Sequence, residues 1–342
     1  VKRILPALIA PVLLIAASAL SLPKFATDHS EPCQSCHVSP NGGGMRNEYG
    51  NHSIALNELT LQSTKKYIVS RAHSPRLTEA LSFGFDTRSL VFKDLSTFRM
   101  QTDSYAAVEP VKGFSYLFRF GQAGISENYA LLNFDRQRFW IMAGRFSPAF
   151  GIHEQDHTSF NRQLTGHGPG TFFDGVEIGT QAAGINLSVG TYDNSGRGTY
   201  IAHAYRAGYV RPLGYLAGAS VQYSEFINGS TGAVPVAKAL FGGLSFGRFT
   251  ALGELDLVGR VNDTLISYGE FSARIIYGLY AVAEYNFIDP DRHVRNGVDE
   301  YLRFSTEFYP IPFVELRPSY TRYTRGLNAG SDDYFLMLHF GF

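Results

Sequence analysis

"DEYLRFSTEFYPIPFVELRPSYTRY", residues 299–323, decides the fold. In its first half Leu302, Phe304 and Phe308 alternate with Arg303, Ser305 and Glu307. After the short break at 310–311, Val314, Leu316 and Tyr320 alternate with Glu315, Arg317, Ser319 and Thr321. A period of two belongs to extended chain, whose successive side chains leave on opposite faces. Here one face is apolar and aromatic and the other is charged, which suits lipid on one side and a polar lumen on the other.

The pattern continues outward from this stretch. In 278–288, Leu279, Ala281, Ala283, Tyr285 and Phe287 oppose Glu284 and Asn286. In 248–259, Phe249, Ala251, Gly253, Leu255 and Leu257 oppose Thr250, Glu254 and Asp256. From Leu77 onward the spacing predicts strands at 77–91, 96–109, 114–122, 126–134, 138–147, 172–179, 182–192, 198–210, 215–226, 238–246, 248–259, 265–276, 278–288, 299–309, 312–323 and 333–342. That is sixteen, an even number as bacterial barrels require.

A soluble sandwich also alternates, so connection length decides. After even-numbered strands the breaks are short, such as 180–181, 247, 277 and 310–311; after odd-numbered ones they are long, such as 148–171, 227–237, 289–298 and 324–332. Short turns at one end and long loops at the other are the outer-membrane pattern, and the strands before residue 134 show it least. The expectation is an all-β, 16-stranded antiparallel transmembrane β-barrel at 77–342. Lumen-facing Glu254, Asp256, Glu270, Arg274, Glu284, Arg303, Glu307, Glu315 and Arg317 then line an open pore or meet a plug. Tyr334, Phe335, Phe340 and Phe342 place aromatics at the end of the last strand, where an interfacial girdle belongs.

Composition agrees. The chain has 35 Gly, 20 Tyr and 27 Phe, and 30 basic against 30 acidic residues. Zero net charge gives no case for nucleic acid. The start, "VKRILPALIAPVLLIAASALSLPKFATDHS", has a positive head, an apolar run and small residues, with cleavage points at Ala17-Ser18-Ala19 and at Ala26. It predicts a secretory signal peptide over 1–26.

The only two cysteines stand in "EPCQSCHVSP", residues 31–40. A structural zinc site needs about four ligands. A thioredoxin-like pair belongs at a helix start in a βαβ context. A disulfide across two residues closes too small a loop to stabilise much. Cys33-x-x-Cys36-His37 is instead the attachment string of haem c: two thiols for two vinyl groups, and the adjacent histidine for the iron. Export fits, because attachment takes place outside the cytoplasm. This predicts a monohaem segment at 27–76, with His37 as proximal ligand. His52 is the first choice for the distal ligand and Met45 the second, with His29 and His73 to either side. Gly42, Gly43 and Gly44 either bring backbone close to the porphyrin or form a plain turn. Fifty residues build little core alone, and a covalent haem supplies apolar mass.

Cys33, Cys36 and His37 followed by a barrel resemble the fused monohaem cytochrome–porins of the bacterial outer membrane, including extracellular iron oxidases. "GRFSPAFG" and "FDGVEIG" are weaker porin-like echoes. The resemblance implies an outer-membrane one-electron conduit between an extracellular partner such as iron and a periplasmic cytochrome or other electron carrier; the alternative is a diffusion porin carrying an accessory haem segment. It also likens 148–171 to the third porin loop, which folds inward. That loop carries His153, Glu154, Asp156, His157 and His167, of which the first four form a weak candidate Fe(II) site beside the plainer reading of a charged constriction. No nucleophile–base motif or phosphate-binding loop accompanies these.

Overall fold

A computed structural model describes residues 24–29, 31–65, 74–121, 124–135, 138–152, 158–168, 170–182, 185–193, 201–214, 217–228, 237–259, 264–294 and 297–342. Residues 201–214 and 217–228 are described by their backbone only. Most of the predicted signal peptide, His73 and the candidate Fe(II) residues His153, Glu154, Asp156 and His157 lie outside the described residues.

Among the described residues, five short helices precede or interrupt the strands: α1 (Lys24–His29), α2 (Cys33–Cys36), α3 (Gly50–Leu59, wound in the wide π form), α4 (Gln62–Lys65) and α5 (Phe160–Gln163). The strands are β1 (Leu81–Phe92), β2 (Thr97–Val111), β3 (Phe114–Gly121), β4 (Gly124–Phe134), β5 (Phe139–Phe146), β6 (Phe173–Ala182), β7 (Ile185–Asp193), β8 (Ile201–Gly214), β9 (Ala217–Asn228), β10 (Ala237–Phe246), β11 (Phe249–Val258), β12 (Thr264–Ile276), β13 (Leu279–Asp289), β14 (Asp299–Phe308), β15 (Val314–Arg325) and β16 (Asp332–Gly341). Each is antiparallel to its sequence neighbours, and β16 pairs with β1 to close the ring. Beyond that seam, Phe85 and Phe342 exchange backbone hydrogen bonds of 3.0 and 2.7 Å.

Most boundaries differ from the sequence reading by one to four residues, the first strand starting at Leu81 rather than 77, and two of the differences have evident local reasons. "RPLG" at 211–214 looks like a turn, yet β8 runs on to Gly214 through a bulge at Pro212. β15 begins at Val314 rather than 312, because Phe313 has φ 69° and breaks the extended run.

The wall is inside-out relative to a soluble core. In β14, Tyr301, Arg303, Ser305 and Glu307 are buried while Leu302 and Phe304 are exposed. In β11, Thr250, Glu254 and Asp256 are buried while Phe249 and Leu255 are exposed. Polar parity inward and apolar parity outward is what the alternation of the quoted stretch predicts. Of the terminal aromatics, Tyr334 and Phe340 are exposed, whereas the guanidinium of Arg303 lies over the Phe335 ring at 5.2 Å.

Two inserts occupy the lumen. The N-terminal segment meets the wall at the short-turn end: Asp28 Oδ1 accepts from Ser245 Oγ at 2.9 Å, and the Leu61 amide donates to Tyr309 O at 3.1 Å. Lys24, buried, pairs with Glu307 and lies 3.9 Å from Glu270. The β5–β6 connection is the second insert. The Ile152 amide donates to Glu254 Oε2 at 2.6 Å, and the Phe160 amide to Asn286 Oδ1 at 3.0 Å. Tyr301 Oη donates to Thr158 O at 2.8 Å. The loop thus crosses to β11, β13 and β14 on the far wall. Gly151, at φ 56°, permits this: a Cβ there would collide with the Glu254 carboxylate. No helix among the described residues is long and apolar enough to cross a membrane, which leaves strand crossing untouched.

Candidate functional site

Cys33 to Cys36 form one helical turn, and the His37 amide donates to Cys33 O at 2.8 Å. The i, i+3 spacing puts both thiols on one face. Asn47 clasps the turn. Its Nδ2 lies 3.0 Å from Gln34 O, 3.0 Å from Ser35 O and 3.3 Å from His37 O, its amide donates to Cys36 O at 2.9 Å, and its Oδ1 accepts from the Gly50 amide at 2.9 Å. Sequence reading missed Asn47; its only signal is position, ten residues beyond His37 in a turn-rich stretch.

Between His37 and Arg46, which form an isolated antiparallel bridge, the chain makes a tight reversal. Gly42, Gly43 and Gly44 have φ 81°, 70° and 58°, a left-handed run that other residues enter at a cost of about 1–2 kcal/mol each. A Cβ on Gly42 would strike Cys33 Sγ. Gly42 therefore serves close approach to the cysteine turn, and the Gly44 position abuts the Tyr105 ring.

Cys33, Cys36 and His37 line one cavity of about 220 Å³ between the N-terminal segment and the barrel wall. That is roughly fifteen times what a single ordered water needs. Phe85, Tyr105 and Phe342 supply aromatic wall; Arg46, Arg88 and Arg317 supply positive charge. The two cysteines are not joined in a disulfide. Burial pushes the Cys36 thiol up to about 12, opposite to the acidified thiolate of a redox pair. Burial, with Arg46 nearby, lowers His37 to about 4, so its ring is neutral at ordinary pH, as iron ligation requires. Among the described residues no group of three or more His, Cys, Asp or Glu is placed to hold a bare metal ion. The donor set fits an amphipathic macrocycle with two thioether links, an axial imidazole, apolar faces and acidic edges.

The structure does not bring the expected distal residues to this cavity. His52 is exposed on α3, and its carbonyl accepts from Asn57 Nδ2 at 3.0 Å. Met45 is buried, packed at Gly84 in the wall, and does not line the cavity. His29 and His339 do line it. His167 is buried in the second insert, stacked on Phe150 at 4.3 Å with Nδ1 3.1 Å from Thr165 O.

Comparison with solved structures finds outer-membrane barrels. OmpT of Vibrio cholerae is 9% identical, with TM-score 0.53 over 79% of this chain and 100% of its own. A variant of Rhodopseudomonas blastica porin is 13% identical, TM-score 0.53, over 77% and 100%. An anion-selective porin from Comamonas acidovorans is 10% identical, TM-score 0.52, over 77% and 99%. The fold is a porin-type β-barrel. At these identities the likeness extends to fold alone. The matched share is about what β1 to β16 make up of the chain. No protein-family model matches, and no curated protein does.

Proposed function

We propose that this chain is a barrel of the bacterial outer membrane that carries one covalent haem c in its lumen and passes single electrons between an extracellular partner such as iron and a periplasmic carrier. The membrane setting is supported by the exposed belt of Leu240, Leu244, Phe246, Phe249, Phe271 and Phe304, since soluble monomers rarely leave such a surface to water. The observation that carries the cofactor is the convergence of Cys33, Cys36 and His37 on a single cavity inside the barrel. Bound there, the haem supplies a reversible one-electron centre. Cys33 and Cys36 tether it, His37 holds the iron, and Arg46, Arg88 and Arg317 offset its acidic edges. The aromatic wall limits water, which tunes the potential.

The cavity lies toward the short-turn end, periplasmic in such barrels. A periplasmic carrier approaches the rim by His29 and Glu31, where the cavity meets the end of α1. One haem does not bridge an insulating core of about 30 Å, so the outer half of the path depends on how the partner enters beside the β5–β6 insert.

The porin-type fold favours a second reading, a diffusion porin with an accessory haem segment. It requires solute to pass both inserts. Proteoliposomes separate the two. The conduit reading predicts little swelling in sugars and reduction of an enclosed acceptor by an external donor, abolished by Cys33→Ala with Cys36→Ala. Free sugar flux without electron transfer would favour the porin.

A further inference from the structure

Of the side chains around the cavity, His339 has a placement that the covalent attachment alone does not use. It lies on β16, directly opposite Arg88 of β1 and Glu315 of β15 in the two ladders. Glu315 Oε2 lies 2.9 Å from its Nδ1. Its Nε2 has longer neighbours, Asp86 Oδ1 at 3.4 Å and Arg88 Nη2 at 3.5 Å. A carboxylate on one ring nitrogen fixes the tautomer and raises the basicity of the other, which is how protein scaffolds prepare an imidazole for a metal; here the other nitrogen faces Asp86 Oδ1 and Arg88 Nη2, longer contacts that ligation would replace. Paired strands on both sides hold that ring in a closed wall rather than on a loop.

The rivals are less well prepared. His29 faces the same cavity, but its Nε2 lies 2.9 Å from Glu58 Oε2. Met337 lines the cavity two residues before His339 and offers a thioether with no orienting partner of this kind.

We infer that His339 Nε2 is the sixth ligand of the haem iron, opposite His37. This rests on the haem reading above. It adds a consequence: the iron joins the N-terminal insert through His37 to the barrel wall through His339, so coordination locks the plug in place.

The full-length protein, matured with haem and purified in detergent, tests this by electron paramagnetic resonance, near-infrared magnetic circular dichroism and midpoint potential. Absence of covalent haem in the wild type would defeat the haem reading itself, and is seen by haem staining before any ligand variant is made. With haem present, the wild type is expected to show low-spin bis-imidazole iron. His339→Ala should lose that signature for high-spin or water-ligated iron, whereas His29→Ala and Met337→Leu retain it. His339→Met keeps the test decisive should the alanine variant fail to accumulate: a methionine-type or high-spin spectrum with a raised potential supports the inference. A bis-imidazole spectrum persisting in either His339 variant, or methionine ligation in the wild type, overturns it.

Discussion

Gly42 shows how little freedom the cysteine turn leaves. Its φ of 81° and its contact with Cys33 Sγ mean that Gly42→Ala adds left-handed strain and a collision together. Strain alone costs about 1–2 kcal/mol. Gly330, at φ 85° with open space around it, is the matched control. Gly42→Ala should lower the ratio of haem to protein several-fold, measured by pyridine haemochrome against total protein, while Gly330→Ala leaves it unchanged. At this scale the grouping of Cys33, Cys36 and His37 on one cavity was legible in sequence, because their spacing is local. The cavity's far wall was not: His52 lies near Cys36 in sequence but is exposed, and His339 is brought to the cavity only by closure of β16 on β1.

At the level of elements, the two inserts make separate predictions. α1 is held by Lys24 against Glu307 and Glu270, with side chains almost wholly buried. Breaking a buried pair from one side costs about 3–5 kcal/mol. Lys24→Met should therefore loosen the N-terminal insert and raise single-channel conductance in planar bilayers; conductance equal to wild type would mean that α1 does not anchor the plug. The same contacts favour signal cleavage after Ala19 over Ala26, because the latter would remove Lys24 and Phe25. N-terminal sequencing of the mature protein should find Leu20 first.

The second insert contains His167, lowered to about 3 by burial, with Arg162 adding repulsion. Its folded value lies below the unfolded value of about 6.5, so the unfolded state binds the proton more tightly. The stabilisation is present above pH 6.5 and is lost as pH falls from there toward 3. His167→Phe should keep the stacking on Phe150 and show a smaller fall in melting temperature between pH 7 and pH 4 than wild type. The strands themselves were readable from their period of two. The inward course of the β5–β6 loop was carried only by the resemblance of 148–171 to the third porin loop; its anchors were not readable, since Ile152, Thr158 and Phe160 meet partners more than a hundred residues away.

For the whole molecule, the ring of strands turns apolar residues out and charge in, and the lumen holds two inserts. Alternation and connection lengths carry the first of these statements, because they are local properties of the chain. The second depends on contacts between the N-terminal segment and strands far along it, such as Lys24 with Glu307 and Arg46 Nη1 with Gly341 O at 3.0 Å. Intact mass of the protein, taken from the outer-membrane fraction of cells with a working cytochrome-maturation pathway, tests the central claim most directly. A mature chain heavier by one haem, with the increment lost in the Cys33→Ala, Cys36→Ala variant, is the predicted result. A bare polypeptide of the same preparation, or one carrying only a Cys33–Cys36 disulfide, would contradict it.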